Sequence, residues 1–188
     1  GYAAYVDTGR FVLCSTSPEL FFELDGEQIT SRPMKGTARR GLTPAQDREM
    51  AEWLARSEKD RAENVMIVDM VRNDLGKIAE KGSISVPKLF EVERYPTLWQ
   101  MTSTVTARTN RSIPEIIAAL FPSASITGAP KVSTMRIIAG LENTSRKIYT
   151  GCSGYISPDR KANFNVAIRT ALIDRERQSA EYGVGGGI

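Results

Sequence analysis

The sequence predicts an α+β fold, and three observations carry that prediction. The chain opens with short apolar runs joined by Thr8-Gly9 and Asp25-Gly26, and Asp-Gly between apolar runs signals a β-hairpin. Helical patterns with their own capping residues occupy the middle. The chain then returns to strand patterns. Hairpins and helices mixed in this way argue against a regular βαβ series.

Taken in order, residues 2–6, 11–14, 20–24 and 28–30 read as strands. Thr43-Pro44-Ala45-Gln46 starts a helix: a threonine N-cap, a proline at the first helical position and a glutamine closing a capping box. Met50, Trp53 and Leu54 give that helix its apolar stripe. Residues 59–78 form a long helix ending near Gly76, and 86–107 read as extended. Ser112-Ile113-Pro114-Glu115 is a second capping box, and Ile113, Ile116, Ile117, Leu120 and Phe121 make a full core stripe. Residues 130–141 read as one more helix, and 147–156, 164–174 and 180–184 as strands.

Composition narrows the function. The 188 residues, 41% hydrophobic and 25% charged, suit a single domain over 1–188 with one sizeable core. A net charge of +3, with no basic stripe interleaved with aromatics, does not point to nucleic acid. No apolar run is long enough to span a membrane, and no signal peptide is visible. Two cysteines, Cys14 and Cys152, are too few for a disulfide scaffold and fit a reducing compartment. With no histidine, Ser-His-Asp and Cys-His catalysis are excluded, and a metal would need oxygen ligands, which favours magnesium or calcium. Gly1 is not a start methionine, and the chain stops within Gly183-Val184-Gly185-Gly186-Gly187-Ile188, so a fragment truncated at both ends is expected.

Several positions suit chemistry. Pro33-Met34-Lys35-Gly36-Thr37 places a lysine in what reads as a tight glycine turn, where partial desolvation makes an amine nucleophilic. Asp60 and Glu63 share a helix face, either around a hard divalent ion or as a solvated surface. Ser125-Ile126-Thr127-Gly128-Ala129-Pro130-Lys131 opens a helix whose N-terminus attracts anions, though it is no P-loop. In 164–172 one strand face carries Phe164, Val166, Ile168, Thr170 and Leu172, and the other Asn165, Ala167, Arg169 and Ala171. Tyr149 has Gly151 and Ser153 beside it in the same way. These two small-residue faces read either as a carboxylate cavity or as solvent faces. Gly185-Gly186-Gly187 reads as a nest of N–H groups or as a linker.

Together these motifs resemble the chorismate-utilising enzyme family, in the same order along the chain. They are Ser17-Pro18-Glu19-Leu20-Phe21, Arg32 through Gly41, Asp60-Arg61-Ala62-Glu63-Asn64 with Ile67-Val68-Asp69 and Arg72-Asn73-Asp74-Leu75-Gly76, Ser125 through Lys131, Ala167-Ile168-Arg169-Thr170-Ala171 and Gly185-Gly186-Gly187-Ile188. The resemblance implies part of a two-sheet chorismate-binding core, like that of anthranilate synthase component I, with helices packed outside. It implies chorismate as substrate, Mg2+ as cofactor, a cytoplasmic location, and ammonia from a glutamine amidotransferase subunit or fused domain. Lys35 sorts the branches: the anthranilate-forming branch carries Pro-Ile-Ala-Gly-Thr there, whereas a lysine resembles the branch that aminates chorismate at C4 toward p-aminobenzoate and folate. Gln100, within Tyr95 through Val105, stands where anthranilate formation uses a histidine and is by that likeness a catalytic candidate with Lys35. By the same likeness Lys35 is the nucleophile, Glu63 a magnesium ligand and Asp60 a water-mediated one. Arg169 and Tyr149 bind the enolpyruvyl carboxylate, and Gly36, Thr37, Ser125, Gly185, Gly186 and Gly187 complete the pocket. The alternatives are the anthranilate branch of tryptophan biosynthesis and a catalytically inert fragment or interaction module, and the isolated fragment is itself expected to be inactive.

Overall fold

The computed structural model describes residues 1–186. The chain opens with strands β1 (Tyr2–Asp7), β2 (Phe11–Ser17), β3 (Leu20–Asp25), β4 (Gln28–Arg32) and β5 (Met34–Arg39). Helices α1 (Pro44–Arg56) and α2 (Glu58–Gly76) precede a hairpin of β6 (Ser85–Arg94) and β7 (Leu98–Arg108). Helix α3 (Ile113–Leu120), a 3-10 turn (Ala124–Ile126) and helix α4 (Lys131–Leu141) lead to β8 (Cys152–Ser157), β9 (Lys161–Val166), β10 (Thr170–Asp174) and β11 (Ser179–Tyr182). The fold is α+β, as the sequence predicts.

The helix starts follow the capping residues. Thr43 accepts the Gln46 N–H at 3.3 Å. Ser57 serves two helices: its N–H reaches back to Leu54 O at 3.2 Å, and its hydroxyl accepts the Asp60 N–H at 3.3 Å. Glu115 closes the start of α3 by accepting the Ser112 N–H at 2.8 Å.

The strands form two antiparallel sheets. The smaller runs β1-β2-β10-β11; the larger runs β5-β7-β4-β3-β9-β8, with β6 on the other edge of β7. Strands β4 and β5 lie end to end along β7, with Ser31 opposite Val105 and Met34 opposite Thr102. Helices α2 and α3 cover one face of the larger sheet. Ile67, Val68, Val71, Leu75, Ile116 and Leu120 pack there on Phe22, Leu24, Ile29, Val105 and Val166. Each such side chain removed from water contributes about 1.5–3 kcal/mol. A smaller cluster of Leu54, Ala38 and Met101 lies under α1. The stripe predicted on α1 is thus only partly buried, because Trp53 faces outward at 55% exposure. Phe121, predicted within the α3 stripe, lies past the helix end and half exposed, edge-on to Phe21.

Three expectations change. The expected turn at 33–37 is instead the start of β5, from Met34, which carries a bulge. The run 164–174 is two strands in different sheets, because Arg169 takes a φ of 49° and the chain crosses over there. The expected alternation therefore stops at Val166. Residues 147–151 are turns and not strand, with positive φ at Lys147 and Thr150. A buried polar network anchors the crossover. Asn165 Nδ2 donates to Ser15 Oγ at 3.2 Å and to Tyr2 O at 2.8 Å, while its Oδ1 accepts from Ser153 Oγ at 2.9 Å. Ser15 and Thr170 hydroxyls meet at 2.8 Å.

Candidate active site

The bulge builds the site. From Met34 to Thr37 the β5 strand spends one more residue than β7 does from Thr102 to Gln100. The extra residue falls at Lys35-Gly36, and a bulge of this kind re-aims the side chain it carries. Gly36 has φ +95°, and a Cβ there would lie 2.9 Å from Asp60 Cβ, so only glycine fits. Gln100 fixes the bulge from β7: its amide N–H donates to Gly36 O at 2.9 Å, and its Oε1 accepts from Thr37 Oγ1 at 2.9 Å. Asn64 fixes it from α2. It is fully buried, its amide N–H reaches Lys35 O at 3.5 Å, and its Oδ1 accepts from Ser103 Oγ at 2.5 Å. The main chain at Lys35 is therefore held from two sides.

One carboxylate pairs with the Lys35 side chain and two more lie in its neighbourhood. The Lys35 ammonium pairs with Glu63 Oε1 at 3.3 Å. Asp60 turns to Ser57, accepting its hydroxyl at 2.5 Å, and backs the Gly36 bulge. Glu19 is the residue the sequence reading missed. It lies in the quoted Ser-Pro-Glu-Leu-Phe stretch but received no role. It is 5% exposed, and burial pushes its carboxyl up to about 7, against hydrogen bonds from Ser125 and the Met34 N–H and the charge of Lys35. A glutamate leading straight into Leu20-Phe21-Phe22 was the available signal, since an acid in such a run is carried into the core.

The remaining predicted residues form a second group. The Tyr149 ring lies against the glycine run: a Cβ at Gly183 would meet it at 2.2 Å, and one at Gly185 would meet its hydroxyl at 2.5 Å. Gly186 lies in open space, and Gly187 falls outside the described residues. Tyr149 lines two cavities of about 500 and 540 Å³, one against α4 and one against β10 and β11; Lys35 lines neither. Arg169 is exposed, and its carbonyl accepts from Thr16 N at 3.0 Å. Among the described residues no hydrogen bond or ion pair joins this group to Lys35. Ser125, in the 3-10 turn, belongs with the first group through Glu19.

The donors facing Lys35 test the expected metal. Among the described residues no three acidic, cysteine or histidine side chains cluster. Glu63 and Asp60 still supply the right chemistry, because magnesium is commonly held by one or two carboxylates with the rest from water and substrate oxygens.

The fold and site define an α+β domain built around an amine on a bulged strand, paired with a carboxylate. The chain belongs to the chorismate binding enzyme family, whose profile matches residues 1–188. It is 45% identical to the aminodeoxychorismate synthase of Streptomyces griseus, over 100% of this chain and 26% of that protein. It is 44% identical to aminodeoxychorismate synthase component 1 of Salmonella typhimurium, over 90% of this chain and 38% of the relative. The chain thus spans well under half of each. The crystal structure of anthranilate synthase component I from Streptococcus pneumoniae matches with a TM-score of 0.84 at 31% identity, covering 94% of this chain and 39% of that one. No helix among the described residues is long and apolar enough to cross a membrane.

Proposed function

We propose that this chain carries the chorismate-binding centre of an aminodeoxychorismate synthase. This transferase aminates chorismate at C4, giving 4-amino-4-deoxychorismate for p-aminobenzoate and folate biosynthesis. The observation that carries the reading is the Lys35 amine on its fixed bulge, paired with Glu63, with the buried Glu19 carboxyl within reach of its charge. Freed of its proton and of Glu63, the amine attacks C2 of the ring. The ring double bonds shift and the C4 hydroxyl departs, taking its proton from Glu19. Ammonia then adds at C4 and the lysine leaves from C2 with its electron pair. Glu63, with Asp60, is proposed to hold Mg2+, which neutralises a substrate carboxylate. Tyr149 and Arg169 receive the enolpyruvyl carboxylate, and Gly36, Thr37, Ser125, Gly185, Gly186 and Gly187 shape the pocket. Gln100 acts by holding the bulge. The name "component 1" of the Salmonella relative supports ammonia delivery from a glutamine amidotransferase component. Two cysteines, neither bridged, favour a cytoplasmic location.

The test uses the full-length protein with chorismate, Mg2+ and ammonium, and a lyase converting the product to p-aminobenzoate. Lys35→Ala is expected to lower the rate by roughly 10³-fold or more. An unchanged rate removes the covalent role. The likeness to the Streptococcus anthranilate synthase favours a second reading, and fluorescent anthranilate in the same assay would establish it.

A further inference from the structure

Strand β7 has a bulged neighbour on each flank. On one side β5 takes three steps from Met34 to Thr37 while β7 takes two from Thr102 to Gln100. On the other side β6 takes three from Lys88 to Glu91 while β7 takes two from Thr104 to Thr102. The second bulge contains Phe90, whose φ of 59° is a left-handed backbone that a bulky side chain rarely takes. Such strain persists only where the surroundings over-determine it. Here the Phe90 ring packs against the Leu54, Ala38 and Met101 cluster, and the Arg61 guanidinium lies over it at 4.8 Å. Ser103 stands between the two bulges and is fully buried. Its main-chain N–H donates to Pro33 O at 3.1 Å, just ahead of the Lys35 bulge. Its hydroxyl accepts the Phe90 N–H at 3.1 Å and donates to Asn64 Oδ1 at 2.5 Å. Asn64 Nδ2 then donates to Lys35 O at 3.5 Å. The direction of this chain is fixed at both ends, because an N–H can only donate and a carbonyl can only accept. Turned the other way, the Asn64 amide would set its oxygen against the Lys35 oxygen. The single hydrogen of the Ser103 hydroxyl thus selects the Asn64 orientation.

We propose that Ser103 is a positioning residue for Lys35: by accepting from Phe90 and donating to Asn64, it joins the two bulges flanking β7 into one unit. The strained β6 bulge then braces the main chain from which the Lys35 amine projects, and a bulge of this kind sets where its side chain points. For its consequence in catalysis the proposal rests on the chorismate reading above; the joint between the bulges does not depend on that reading.

Lysine followed by glycine occurs twice in the sequence, at Lys35-Gly36 and Lys81-Gly82. Labelling lysine carbonyl carbons with 13C and glycine nitrogens with 15N therefore leaves two peaks in a carbonyl–amide NMR spectrum, and Lys81→Arg identifies the second by removing it. In the 188-residue chain, Ser103→Ala is expected to move the Lys35 carbonyl peak upfield, as its hydrogen bond is lost, and to leave the Lys81 peak in place. Thr109→Val is the control for a merely structural effect. It removes another fully buried hydroxyl, one that donates to Ile78 O at 2.8 Å, and should leave the Lys35 peak where it is. In the full-length protein with chorismate, Mg2+ and ammonium, Ser103→Ala is expected to lower kcat roughly 10-fold with the chorismate KM little changed, whereas Thr109→Val keeps kcat. An unmoved Lys35 carbonyl in the folded Ser103→Ala chain overturns the proposal, and so does a loss of kcat no greater than that of Thr109→Val. Should Ser103→Ala not fold, Ser103→Cys, whose thiol is a weak donor and acceptor, is read by the same two outcomes. If the unmodified full-length protein forms no aminated product, the chorismate reading fails, and the Lys35 carbonyl peak alone then decides the proposal.

Discussion

Gly36 and Glu19 show how single residues set the chemistry. Gly36 combines φ +95° with a side-chain direction already filled by Asp60. Gly36→Ala is expected to cost about 1–3 kcal/mol, read as a lower urea midpoint at unchanged slope. The sequence showed a glycine beside a lysine but not its setting. A turn and a bulge both demand positive φ, and only the register against β7 distinguishes them. Glu19 was less legible still, because Lys35 and Ser125 reach it from distant parts of the chain. Its folded carboxyl titrates near 7, against 4.5 when unperturbed. Between those values the folded chain holds a proton that the unfolded chain has released. Stability therefore falls as pH rises through that window, and the penalty, roughly 3 kcal/mol, is complete above about 7 and absent below 4.5. Glu19→Gln is expected to flatten the slope and to raise stability at pH 8, as followed by denaturation across pH.

Among the elements, α2 does the most to organise the site. It presents Asp60 and Glu63 to β5 on one face while its apolar residues enter the core. Asn64 joins those two duties, buried between β5 and β7. Asn64→Ala leaves Ser103 without its acceptor and frees the Lys35 carbonyl. A loss of about 1–3 kcal/mol is expected from denaturant titration, with faster amide exchange along β5. The helices were the most legible elements, since Thr43, Pro44 and Glu115 write their starts locally. The strand run 164–174 misled because period-two alternation continues unbroken across Ala167-Ile168-Arg169, although the chain changes sheets there. Nothing local announces such a crossing; it is fixed by Asn165 meeting Ser15, which is far from it in sequence.

At the scale of the molecule, two antiparallel sheets share a covalent crossover, with helices α2 and α3 on one face of the larger. The α+β class was legible because hairpins and helices come in blocks. The division into two sheets was not legible from pattern and came only through the family resemblance. Of the candidate site, the Lys35, Asp60 and Glu63 side was legible in residue identity and close in geometry. The Tyr149 and Arg169 side was legible in identity alone, since both sit in left-handed or turning backbone and not on strand faces. The smaller sheet also has a consequence for handling the protein. Among the described residues its outer strands are β1 and β11, which carry Tyr5 at 67% and Tyr182 at 56% exposure. Bare strand rims are templates for further strands. Concentrated solutions of the chain are therefore expected to self-associate by sheet extension, growing more readily as salt screens the surface charge. Light scattering over a dilution series would reveal it, Tyr5→Lys should suppress it, and a strictly concentration-independent mass would refute it.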